Sequence, residues 1–135
     1  MTPQRVRVLL VEDEIHSRVA LAELLQLDGF EVITAENGED GYRKAIWWEP
    51  DVIVTDLLMP VLGGLEMACR IRNVRGRIAM APILALSGNM HEFDLTHRLN
   101  SGVNRFVRKP IDDYRSLSDA IRTLVATRRA PVAEV

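Results

Sequence analysis

The sequence predicts an α/β fold in which a five-stranded, doubly wound parallel sheet carries helices on both faces. Three observations lead there. Short runs rich in β-branched residues recur along the 135 residues. The run that leads into Asp56 is unbroken rather than alternating, the pattern of a strand buried on both faces. Between the runs lie longer stretches with apolar residues at spacings of three and four, the period of an amphipathic helix. Regular alternation of the two kinds implies βαβ units with right-handed crossovers, hence parallel strands whose carboxyl ends share one edge.

Arg5 to Val11 reads as the first strand, running into Glu12, Asp13 and Glu14. Ile15 to Leu27 predicts a helix with Ile15, Val19, Ala22 and Leu25 or Gln26 along its inward side. Gly29 then suits a left-handed stop. Phe30 to Ala35 is the second strand. Asn37 caps a helix running through Ile46 and Trp48, which Pro50 closes, and Trp47 and Trp48 are expected to pack at its end. The stretch Val52 to Pro60, V-I-V-T-D-L-L-M-P, is the one the chain is organised around. It is a third, central strand that delivers Asp56 to the carboxyl edge, where open α/β sheets place their ligands.

A loop from Leu57 to Gly64, marked by Met59-Pro60 and Gly63-Gly64, leads to a third helix, Leu65 to Arg72. Its inward face is expected to be Leu65, Ala68 and Ile71 or Arg72, with Cys69 a small buried residue. Arg70, Arg72, Arg75 and Arg77 read as a solvated basic face. Pro82 to Leu86 is a fourth strand ending at Ser87-Gly88. Glu92 to Ser101 predicts a fourth helix, with Phe93, Leu95 and Leu99 as its apolar members and Gly102 as its stop. Val103 to Arg108 is a fifth strand, followed by Lys109-Pro110. The last helix carries the clearest stripe, Leu117, Ala120, Ile121, Leu124 and Val125, with Asp112 or Asp113 as cap. Residues 1–129 are expected to form one domain and 130–135 a short tail or truncated linker.

Composition narrows the function. The apolar fraction of 47% and charged fraction of 27% are those of an ordinary globular domain. A net charge of −2 lacks the basic footprint of a nucleic-acid binder. With Cys69 the only cysteine, no internal disulfide can form, which fits a reducing cytoplasm. No apolar stretch approaches the ~20 residues of a membrane helix, so neither nucleic acid nor membrane is an expected partner.

The chemistry gathers at the strand ends. Glu12, Asp13, Asp56, Ser87 and Lys109 all lie at or just past carboxyl termini of predicted strands. Carboxylates brought together repel unless a cation sits among them, and hard oxygen ligands select Mg²⁺, which leaves positions for phosphate oxygens. A lysine and a hydroxyl beside one further carboxylate complete the parts for phosphoryl transfer, in which the carboxylate can be the nucleophile.

On V-L-L-V-E-D-E, V-T-D-L-L-M-P, L-A-L-S-G and F-V-R-K-P-I, the chain resembles the receiver domain of two-component response regulators, the CheY-like family, from Arg5 to about Arg128. The resemblance implies the flavodoxin-like (βα)5 sandwich with strand order 2-1-3-4-5. It implies Asp56 as phosphoacceptor and Glu12, Asp13, Asp56 and the Leu58 backbone carbonyl as ligands of Mg²⁺, with Mn²⁺ a possible substitute. Ser87, Gly88 and Lys109 would bind the phosphoryl group, Ser87 and Phe106 would switch, and Pro110 would follow a cis bond. Leu58 and Asn89 match the positions that set the rate of dephosphorylation. Glu12 stands where aspartate is commoner, Ser87 in place of threonine, and Phe106 in place of tyrosine. A second aspartate two residues past the acceptor would suggest a phosphohydrolase, but Leu58 occupies that place.

The function implied is a phosphorelay switch rather than an enzyme acting on outside substrates, catalysing only its own phosphorylation and dephosphorylation. A sensor histidine kinase or histidine phosphotransfer protein would donate the phosphoryl group. A downstream partner, an output domain or a second copy of the chain would read the face made by the fourth helix, fifth strand and last helix. His97, Arg98, Arg105, Tyr114 and Arg115 are the candidate contacts there.

Overall fold

The fold was read from a computed structural model that describes residues 4–88, 102–111 and 113–129. Five parallel strands form the sheet: β1 (Arg7–Val11), β2 (Glu31–Ala35), β3 (Val52–Asp56), β4 (Ile83–Ser87) and β5 (Arg105–Arg108). Their order is β2-β1-β3-β4-β5. Helices α1 (Ile15–Leu27), α2 (Gly38–Trp48) and α3 (Gly64–Arg72), and the C-terminal helix (Tyr114–Arg129), flank it. The expected fourth helix over Glu92 to Ser101 lies outside the described residues, as do Asn89, His97, Arg98, Asp112 and the tail.

Successive strand residues point to opposite faces, and both faces are covered. Val8, Leu10, Val52, Val54, Leu84 and Leu86 pack with α1 and the C-terminal helix. Leu9, Val11, Ile53 and Ile83 pack on the other side with α2 and α3. This is why the inner strands β1, β3 and β4 are mostly apolar and buried, while the edge strands β2 and β5 keep Glu31, Arg105 and Arg108.

Helix ends follow local chemistry. The Glu14 carboxylate accepts from the His16 and Ser17 amides and starts α1. Asn37 Oδ1 accepts from the Asp40 amide at 2.8 Å and starts α2. Asp113 accepts from the Arg115 amide and the Ser116 hydroxyl at the head of the C-terminal helix. Gly29, at φ +96°, turns the chain from α1 towards β2.

Several expectations are corrected. The buried stripe of α1 is Leu21, Ala22 and Leu25, whereas Ile15 and Val19 are 56% and 49% exposed. Val19 lies about 160° around the helix from Leu21, and Ile15 opens the helix at the sheet's edge. Met67, which the sequence reading passed over, is buried with Ala68 and Ile71 in α3, while Cys69 is exposed. Trp48 packs into the core under the Arg7 guanidinium, but Trp47 remains 68% exposed. The basic connection after α3 contains a 3₁₀ turn, Arg77–Met80. Arg72 is not solvated. Its guanidinium donates to the carbonyls of Ala79, Ala81 and Gly102 and to Asn104 Oδ1, tying α3 to the entry of β5.

Candidate functional site

Register places the site. Val11 pairs with Thr55, so Glu12 leaves its strand beside Asp56. Asp56 pairs with Leu86 and Ser87 with Arg108, which sets Ser87 and Lys109 one step beyond on the same edge. Glu12, Asp13 and Asp56 each offer a carboxylate oxygen within 4.8 Å of the others. Lys109 Nζ donates to Asp56 Oδ2 at 3.0 Å and to Glu12 Oε2 at 3.3 Å. The other Asp56 oxygen, Oδ1, accepts from the Leu57 amide at 2.9 Å.

The charges are unequal in their surroundings. Glu12 is buried, and that burial, followed by the charge of Asp56, raises its pKa against the opposing pull of Lys109. Burial alone would lower the Lys109 pKa, but its hydrogen bond to Asp56 and the charges of Asp56 and Glu12 outweigh this and raise it. Glu14 faces solvent and takes no part in the cluster. The Ser17 and His16 amides hold its carboxyl down to about 2. Three carboxylates against one ammonium leave net negative charge at a cluster of hard oxygen donors, a set that fits a small divalent cation.

The remaining expected residues divide. Ser87 is buried at the end of β4, and Gly88 beyond it is exposed, with no atom of the described residues within 4 Å of where a Cβ would stand. The Lys109–Pro110 peptide bond is cis. Leu58 is 63% exposed in the loop after Asp56, and Phe106 is half-buried in β5. Arg105, Tyr114 and Arg115 are exposed. A cleft of about 680 Å³ opens beside Glu12 and Lys109, bordered by His16, Ser17 and Tyr114.

The sequence reading missed the two glycines that hold the acceptor loop close. A Cβ at Gly64 would collide with the carbonyl oxygen of Asp56, and one at Gly38 with that of Leu62. The Gly64 amide donates to Leu57 O at 2.9 Å and the Gly38 amide to Leu62 O at 3.0 Å. The loop is therefore clasped by the amino ends of α3 and α2. Only the Gly63-Gly64 pair hinted at this in the sequence. Arg18 was also missed. Its Nη1 donates to the carbonyls of Glu12 at 2.9 Å and Asp13 at 3.4 Å.

Known proteins resemble this chain in sequence and fold. The chain is 32% identical over 127 residues to the alkaline phosphatase synthesis transcriptional regulatory protein PhoP of Bacillus subtilis, covering 94% of this chain and 50% of that protein. The chain spans about half the length of the curated relatives it matches. The chemotaxis response regulator CheY4 of Vibrio cholerae superposes with a TM-score of 0.81 at 28% identity, over 90% of this chain and 99% of that one. The receiver domain of sensor histidine kinase PA1611 from Pseudomonas aeruginosa superposes with a TM-score of 0.82 at 26% identity, over 91% and 99%. That structure holds a magnesium ion coordinated in its active-site cleft. Residues 8–122 match the response regulator receiver domain as a family. With the sheet order, the acidic edge and this match in agreement, the chain belongs to the response regulator receiver domains.

Proposed function

We propose that Asp56 accepts a phosphoryl group from a histidine kinase or histidine phosphotransfer protein and that the acyl phosphate resets the surface around β5. The observation that carries this reading is Lys109 Nζ at 3.0 Å from Asp56 Oδ2, within an edge that also holds Glu12 and Asp13. An Asp56 oxygen attacks phosphorus, an O–P bond forms, and the bond from phosphorus to the donor nitrogen breaks with its electron pair leaving on the donor. Glu12, Asp13, Asp56 and the Leu58 carbonyl would hold the divalent cation, Mg²⁺ or in its place Mn²⁺. When bound, that cation supplies charge neutralisation on the transferring oxygens.

The chain's own groups do the rest. Lys109 exchanges a carboxylate oxygen of Asp56 for a phosphoryl oxygen, and the Ser87 hydroxyl and the backbone at Gly88 supply further donors. Movement of Ser87 towards the phosphoryl group opens room behind it for Phe106, and the face containing β5 and the C-terminal helix repacks. Partners or an output domain read that face, so the chain signals without turning over an outside substrate.

The test is intact mass after incubation with Mg²⁺ and acetyl phosphate. The wild-type chain gains one phosphoryl group, and Asp56→Asn gains none. Equal labelling of both would place the acceptor elsewhere.

A further inference from the structure

We propose that Arg18 is a positioning residue for this site, holding the backbone from which Glu12 and Asp13 present their carboxylates. The inference rests on reading Glu12, Asp13 and Asp56 as the seat of a divalent cation. Three observations lead to Arg18.

The first is what holds each carboxylate. Glu12 and Asp56 are both tied by Lys109. Asp13 is exposed, and among the described residues no hydrogen bond or ion pair holds its carboxylate. Its place is therefore set by its backbone alone. The second is what holds that backbone. The half-buried Arg18 reaches back from α1, and its Nη1 donates to Glu12 O and Asp13 O, at 2.9 and 3.4 Å. Among the described residues the loop is also tied by the Glu12 amide to Ala35 O at 3.0 Å, the Glu14 amide to Glu12 Oε1 at 3.3 Å, the Arg18 amide to Glu14 O at 2.9 Å, and the His16 and Ser17 amides to the Glu14 carboxylate. None of these involves Asp13. The third is where the charge sits. A guanidinium spent on carbonyl oxygens stabilises the acidic loop from behind and leaves the carboxylate lone pairs open to a cation, whereas a side chain paired with the carboxylates would compete for them.

Removing Arg18 has two opposed effects. Loss of a positive charge near the site favours cation binding, and loosening of the loop disfavours it. At ~0.5 M salt the Debye length falls to roughly 4 Å, so the through-space part is largely screened and the positioning part remains. Groups that orient metal ligands without touching the metal are worth roughly tenfold or more in affinity.

The experiment uses Arg18→Met, which keeps the stem but loses charge and donors, and Arg18→Lys, which keeps the charge and one donor group. In the metal-free chain, amide exchange at Glu12 and Glu14 should speed up in Arg18→Met and by less in Arg18→Lys. Calorimetric titration with Mg²⁺ at ~0.5 M salt should show roughly tenfold weaker binding in Arg18→Met, partly restored in Arg18→Lys. The Mg²⁺ concentration for half-maximal phosphorylation by acetyl phosphate should rise with it, while the rate at saturating Mg²⁺ stays within roughly twofold of wild type. A merely structural role would lower stability without this split. Unchanged exchange at Glu12 and Glu14, or Mg²⁺ affinity equal to or tighter than wild type at high salt, would overturn the proposal. A wild-type chain that takes no Mg²⁺ would defeat the cation reading instead, and the exchange comparison would then decide on Arg18 by itself. If Arg18→Met does not fold, the same comparisons on Arg18→Lys decide, with wild-type exchange and affinity counting against it.

Discussion

Glu12 is a buried carboxylate under pressure from its surroundings. Its folded-state pKa lies above the ordinary 4.5, first because it is buried and then because Asp56 stands beside it. The folded chain therefore holds the Glu12 proton to higher pH than the unfolded chain does. Stability contributed by this group is lost as pH rises from 4.5 through the folded value. Glu12→Gln, equal in shape and uncharged, should melt higher than wild type at pH 7 without metal, and the gap should close towards pH 4. A thermal melt series across that range checks it, and a variant less stable at pH 7 would show that the ion pair to Lys109 outweighs burial. Leu58 is where the lifetime of the proposed acyl phosphate can be tested. Its exposed side chain stands two residues past the acceptor and offers no hydrogen bond to an attacking water. Leu58→Asn should speed loss of phosphate from Asp56 by roughly tenfold, equivalent to ~1.4 kcal/mol of barrier. The first-order decay of phosphorylated chain in Mg²⁺ measures it, and an unchanged rate would mean Leu58 does not flank the water's path.

Among the elements, the acceptor loop depends on two helices starting almost on top of it. Gly64 leaves no space between the first turn of α3 and the Asp56 carbonyl, so the side chain of an alanine must push backbone against backbone. Gly64→Ala should cost about 2–3 kcal/mol in urea unfolding, with the slope of the transition unchanged. Gly88→Ala, where a Cβ meets nothing within 4 Å among the described residues, should cost far less. If the two variants are equally stable, the clasp is not as tight as the backbone positions imply. These close approaches are where sequence reading stops. A glycine pair marks a turn, but the backbone it must admit lies eight residues away for Gly64 and twenty-four for Gly38. Arg72 misled for a similar reason. It sits in a basic run that resembles a solvated face, while the carbonyls it binds carry no sequence signature. Among the described residues the strands and helices were legible because burial on both faces of the inner sheet favours apolar runs there and a single buried face gives each helix its stripe. Their ends moved by only one or two residues, as with the first strand, expected from Arg5 and formed from Arg7.

At the scale of the molecule, one physical fact makes both fold and site readable. A parallel sheet sends every strand's carboxyl end to one edge, so polar residues that end apolar runs are brought together without being near in sequence. Glu12, Asp13, Asp56, Ser87 and Lys109 were gathered by that rule alone, and the register puts them there. Side chains that position the loops, Arg18 among them, were not legible, because their acceptors are main-chain atoms. Among the described residues no helix is long and apolar enough to cross a membrane. The central claim is that Asp56, and no other carboxylate of the cluster, takes the phosphoryl group. Borohydride reduces an aspartyl phosphate to homoserine, so the wild-type chain treated with acetyl phosphate and Mg²⁺, then reduced and digested, reports the acceptor by peptide mass. The account requires homoserine at position 56 and aspartate intact at position 13. Homoserine at position 13, or a reduced acidic side chain at any position but 56, would contradict it.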